Sequence, residues 1–182
     1  VAAAERIAET RAVAVKLLVG EDIGEAVAQS LLDRFPAHSF LRARAEQIAW
    51  QARALHEAED AGPGRTVVKA RLVAAGSPAM EVFVHGPDRD GLFAAIVVTL
   101  DRLGLAIQQA RALDGPGDAV FDSFQVLPGD ARADADPQAV ARKLGAVLSG
   151  PLDRVRPAQR AQPRHLRHFR IVPQVEFATS AD

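Results

Sequence analysis

The chain has 182 residues, 48% apolar and 25% charged, with a formal net charge of −1; this suffices for one domain, or a small domain plus a helical segment, and excludes wholesale disorder. The near-balance of 22 basic and 23 acidic residues argues against a general nucleic-acid or membrane-surface binder, and no apolar run approaches the roughly 20 residues of a membrane-spanning helix. The lack of cysteine excludes a disulfide framework and thiolate chemistry and points to a reducing, cytoplasmic setting.

The opening Val1-Ala2-Ala3-Ala4-Glu5-Arg6 has no signal-peptide pattern and no initiator Met, which predicts a chain cut from something longer. Residues 1–62 read as a helical segment. A first helix covers residues 2–18 and stops at Gly20. A second covers residues 24–35, with Ile23, Val27, Leu31 and Phe35 on one face and Pro36 as its stop. Ser39 is expected to cap a third, whose stripe is Leu41, Ala45, Ile48, Ala52 and Leu55. Ala61-Gly62-Pro63-Gly64 then breaks the chain and marks a boundary, with residues 63–182 forming the second unit.

After the break the period changes. Residues 66–73 predict an extra N-terminal strand, Gly76-Ser77-Pro78 a turn, and residues 80–85 a strand. The loop Gly86-Pro87-Asp88-Arg89-Asp90-Gly91 leads into a helix over 92–103, closed by Gly104. Strands follow at 105–113 and 119–127 around Asp114-Gly115-Pro116-Gly117. Asp136 and Pro137 start a helix buried through Val140, Leu144, Val147 and Leu148. A last strand is expected at 168–177. From residue 79 the order is βαββαβ, so the fold class is α+β, a ferredoxin-like unit preceded by an α-helical segment.

Four constellations invite a chemical interpretation. Gly76-Ser77 followed by Asp88-Arg89-Asp90 resembles a nucleotidyltransferase turn and metal pair, but the aspartates lie in a Pro/Gly loop rather than on a rigid strand, which favours a simple loop. His165 and His168 have one-turn metal spacing, but Arg164, Arg167 and Arg170 flank them and no third ligand is spaced to help, so no metal site is expected. The arginine run Arg154, Arg156, Arg160, Arg164, Arg167 and Arg170 lacks interleaved aromatics and reads as a polar connector. At residues 87–92, Gly91 allows close backbone approach, the start of the next helix favours a carboxylate, and Asp88 can accept from an ammonium. That combination suits an α-amino acid, and it equally suits a loop that only caps a helix.

At this loop the chain resembles a known family. The run from Glu81 to Ala94, EVFVHGPDRDGLFA, is similar to the opening of an ACT domain. Leu100-Asp101-Arg102-Leu103-Gly104-Leu105, Asp122-Ser123-Phe124-Gln125-Val126-Leu127 and Leu166-Arg167-His168-Phe169 resemble the first ACT domain of the bifunctional uridylyltransferase/uridylyl-removing enzymes, and Glu46-Gln47-Ile48-Ala49-Trp50-Gln51-Ala52-Arg53 resembles the helix before it. The resemblance implies a regulatory fragment of an enzyme that modifies the PII signal protein, sensing glutamine or another amino acid. The implied effector residues are Asp88, Arg89, Gly91, Leu92, Gln108 and Gln109, with no catalytic residue, no metal and no cofactor in this fragment; Mg2+ would belong to the parent enzyme. Asp90 stands where the family has Pro, and Gln108 and Gln109 where related domains carry His and Asp.

Two alternatives remain in view: an amino-acid-binding ACT fragment of another regulated enzyme, and a ferredoxin-like RNA-binding module. The second would stack bases on aromatics of the middle strands. Phe121 and Phe124 are the only ones there, and their spacing places them on opposite faces. The expected partners are therefore an amino acid, PII for the parent, and a second ACT domain or a homodimer through the strand at 105–113 or the adjacent face of the helix that starts at Leu92, with that strand and the late strand near 172–177 taken as the free edges; no nucleic acid and no membrane are expected.

Overall fold

In the computed structural model, residues 2–155 and 174–178 are described. Four helices, α1 (Ala2–Gly20), α2 (Glu25–Leu32), α3 (Ser39–Arg42) and α4 (Ala45–Glu57), precede strand β1 (Val67–Leu72). Then come β2 (Met80–Pro87), α5 (Leu92–Arg102), β3 (Leu105–Asp114), β4 (Ala119–Pro128), α6 (Pro137–Leu148) and β5 (Gln174–Ala178). The α+β, ferredoxin-like architecture preceded by helices is present.

The five-stranded sheet has the order β1-β2-β4-β3-β5. All its pairings are antiparallel except β3 with β5. The last strand of a βαββαβ unit would return beside the first; here that side of β2 belongs to β1. The short Gly76-Ser77-Pro78 connection brings β1 there at little loop-closure cost: Ser77 Oγ accepts from the Ala79 N–H at 3.1 Å, and Val73 N donates to Ala79 O at 2.9 Å. The remaining edge, β3, takes β5, with Gln109 opposite Gln174 and Leu113 opposite Ala178. The expected free edge at 105–113 is thus covered by the chain's own β5 from Gln109 to Leu113, and the sheet edges are β1 and β5.

Strand alternation divides the sheet between two cores. Val82, Val84, Ala110, Val120, Phe124 and Val126 face α5 and α6 and pack on Leu92, Ile96, Leu100, Val140, Leu144 and Leu148. Phe83, Leu113 and Phe121 face the other way and join Leu18, Leu31, Phe35, Ile48 and Leu55 of the helical segment. Phe121 and Phe124 do lie on opposite faces, as their spacing predicts. Strand β2 is buried from Met80 to Gly86 because helices cover both its faces.

Three helix details differ from expectation. Gly20 stays within α1, and the left-handed residue that ends it is Asp22, with φ 67°; Ile23 N reaches Leu18 O at 3.1 Å. Val27 is exposed, because a strict four-residue repeat drifts about 40° per step and cannot hold one face; Ala28, Leu31 and Leu32 carry the contact instead. Ser39 is no cap. The turn already starts at Pro36, whose carbonyl accepts from Ser39 N at 3.0 Å, and Ala43 at φ −112°, ψ 154° separates α3 from α4. Asp136 does cap α6, accepting from Gln138 N at 3.1 Å. Arg156, Arg160, Arg164, His165, Leu166, Arg167, His168, Phe169 and Arg170 lie outside the described residues.

Candidate functional site

Strand β2 delivers the 88–92 loop to the start of α5. Pro87 is its last paired residue, opposite Ala119, and Asp88 N donates to Asp118 O at 3.1 Å. Gly91, at φ 80° and ψ 4°, is the N-cap of α5, a left-handed conformation that glycine adopts without penalty. Leu92 is buried and its N–H is already engaged by Arg89 O at 3.1 Å. Asp88 and Asp90 are exposed and form no ion pair among the described residues. Arg89 is occupied: Nη1 donates to Leu148 O at 2.6 Å and Nη2 to Gly150 O at 2.8 Å, so its guanidinium holds the C-terminus of α6.

The structure brings Asp88, Arg89, Gly91 and Leu92 together, but not Gln108 and Gln109. Gln109 is opposite Gln125, six positions along β4 from the Ala119 that faces Pro87, or about 20 Å. Gln108 falls at an irregularity in the β3–β4 register. Among the described residues no group of three His, Asp or Glu side chains could hold a metal ion. No helix among them is long and apolar enough to cross a membrane.

A second feature was not singled out from the sequence. Where the helical segment passes into the sheet, a cleft of about 510 Å³ is lined by residues that include Arg34, Glu59, Arg65 and His85 and the backbone of Gly62 and Gly64. His85 is buried on β2 beside Phe121, ring centroids 4.4 Å apart. Its Nδ1 lies 3.0 Å from Val120 O; a carbonyl can only accept, so Nδ1 carries the proton. Nε2 then presents its lone pair to Arg34 Nη2, 3.3 Å away. Burial, with the Arg34 charge second, pushes the imidazole down to about 4, against the bond to Val120 O. The signal available in the sequence was a histidine directly after the apolar run Val82-Phe83-Val84 and directly before Gly-Pro.

Helix α4 contributes a polar cluster against the sheet. Arg71 of β1 stacks over Trp50 at 4.3 Å and pairs with both Glu46 and Glu81, while Gln47 Nε2 donates to Glu81 Oε2 at 2.8 Å.

These features define a ferredoxin-like α+β module docked on a helical segment, with a glycine-capped loop and a cleft. The family described as "Uridylyltransferase GlnD fifth domain" matches residues 2–54. The chain is 52% identical, over 98% of its length, to the bifunctional uridylyltransferase/uridylyl-removing enzyme of Xanthomonas oryzae pv. oryzae strain MAFF 311018, covering 20% of that protein. It is 33% identical over 95% of its length to the enzyme of the same name from Vibrio cholerae, again covering 20% of it. No solved structure matches. The chain is thus similar to one segment of the bifunctional uridylyltransferase/uridylyl-removing enzymes and spans about a fifth of the length of the curated relatives it matches.

Proposed function

We propose that the chain is a regulatory segment of a cytoplasmic enzyme that uridylylates and de-uridylylates the PII signal protein, and that its ferredoxin-like module is an ACT domain reporting glutamine. The observation that carries this is the alignment, over 98% of the chain, with enzymes of that name. Catalysis, and any Mg2+ it uses, then belongs to the rest of the longer enzyme. The loop fits an α-amino acid in part: exposed Asp88 can accept from the ammonium, and the positive end of α5 at Gly91 attracts the carboxylate. The Asp90 charge opposes that carboxylate, and a second ACT domain or a second copy of the chain would complete the site. Arg89, Gln108 and Gln109 are left out of it, being held by α6 or placed at the far end of β4.

Calorimetry with glutamine on the chain and on Asp88→Ala tests this. Binding that weakens about tenfold in Asp88→Ala is expected, the loss of one charge-assisted hydrogen bond. Equal affinity would remove the loop from the site, and no binding by the unsubstituted chain would remove glutamine sensing from this module.

A further inference from the structure

We infer that the cleft between the helical segment and the sheet is a second binding site, one for a small oxyanion, a carboxylate or a phosphate, held by Arg34 and Arg65. It does not depend on the effector loop and stands whether or not that loop binds glutamine.

Arg34 is fixed yet under-used. Burial holds His85 neutral with its Nδ1 proton on Val120 O, so Nε2 can only accept, and it accepts from one Arg34 N–H. That contact orients the guanidinium without neutralising it. The nearest carboxylate, Glu59 Oε1, stands 3.9 Å from Arg34 Nη1, beyond hydrogen-bond range. A guanidinium has five N–H donors in a fixed fork, and its forked edge suits a bidentate oxyanion. Here one donor is spent on a neutral ring, and Arg34 lines the cleft.

Arg65 is brought to the same cleft by backbone packing. A Cβ on Gly86 would sit 3.0 Å from Thr66 Cα and 3.2 Å from Arg65 O, so only glycine lets the 65–66 backbone lie this close to β2. Gly62 and Gly64, both at positive φ, form another wall, and a Cβ on either would meet nothing within 4 Å. The backbone there is open to a ligand. Glu59 is the one acidic side chain lining the cleft against the two arginines, leaving an excess of one positive charge. The volume, about 510 Å³, admits a small ligand and little more.

The experiment is calorimetry at low ionic strength with two probes, inorganic phosphate and malonate, on the chain and on Arg34→Gln, Arg65→Gln, Glu59→Gln and Asp88→Ala. At least one probe is expected to bind, and the tighter one identifies the ligand as phosphate-like or carboxylate-like. Affinity should fall about tenfold or more in Arg34→Gln, as for loss of a charge-assisted pair, and less in exposed Arg65→Gln. It should rise in Glu59→Gln and stay unchanged in Asp88→Ala. If Arg34→Gln fails to fold, the opposite shifts of Arg65→Gln and Glu59→Gln decide. Absence of binding by either probe, or affinity indifferent to these cleft substitutions, would overturn the proposal. A failure confined to Asp88→Ala with glutamine would touch only the effector loop.

Discussion

Arg34 and His85 meet at 3.3 Å across the joint between the helical segment and the sheet, a cation held against a buried neutral imidazole. The contact joins the residues just after α2 to the inner strand β2, and the Phe121 ring packs beside it, 4.4 Å from the His85 ring and 4.8 Å from that of Phe35. Protonating His85 would set two positive charges side by side and break the acceptor role of Nε2.

The folded chain should therefore lose stability between pH 6.5 and about 4. The imidazole has an ordinary value of 6.5 and is pushed down to about 4 by burial and by Arg34, so the unfolded chain binds the proton first. Stability is then fully present above pH 6.5 and declines as the pH falls toward 4, by about 2 kcal/mol at pH 5. Urea unfolding at pH 7 and pH 5, on the chain and on His85→Gln, measures it. The difference between the two pH values should shrink in His85→Gln; an equal difference in both proteins would assign the pH dependence to other groups.

Arg89 should behave as a structural residue. Its two bonds to Leu148 O and Gly150 O satisfy carbonyls that the end of α6 leaves open, and they place a cation at the negative end of that helix. Arg89→Ala is expected to cost about 2 kcal/mol and to speed amide exchange in the last turn of α6, around Leu144 to Leu148. Unchanged stability and exchange would show that these contacts contribute nothing.

Periodicity made most of the fold legible. The stripe of α5, the Asp136-Pro137 start of α6 and the division of Phe121 from Phe124 all follow from local spacing and capping chemistry. Strand usage did not, because which strand sits beside β2 depends on competition between β1 and β5 for one edge, and a sequence pattern carries no information on pairing partners. The turn at 88–92 was legible in part: Gly91 is the left-handed residue that starts α5, and Asp88 is exposed beside it. The bonds of Arg89 are not legible in local sequence, since its partners are carbonyls some sixty residues away. Gln108 and Gln109 were grouped with the loop by resemblance, which fixes position along the chain but not distance in space. Arg34 and Arg65 lie in unremarkable sequence and come to line one cleft only when α1–α4 pack on the sheet.

The packing of helix on sheet at the other end should hang on Arg71. Its guanidinium lies over Trp50 and bridges Glu46 of α4 to Glu81 of β2, with Nη2 3.0 Å from Glu46 Oε1. Glu81 is 8% exposed and, without Arg71, would keep only the Gln47 amide among these partners. A nearly buried carboxylate that loses its cation is costly, and the aromatic stack is lost too. Arg71→Ala should therefore destabilise by about 2–3 kcal/mol in urea, well above the 0–1 kcal/mol typical of an exposed pair. Glu81→Gln, made in the Arg71→Ala background, removes the stranded charge and should recover about 1 kcal/mol or more of that loss. Proteolysis gives an independent readout: loosening α4 from β1 and β2 should expose the 62–64 connection and raise cleavage there. A loss below 1 kcal/mol with no recovery in the double variant would mean that the apolar contacts of Phe83, Leu113 and Phe121 alone hold the helices to the sheet.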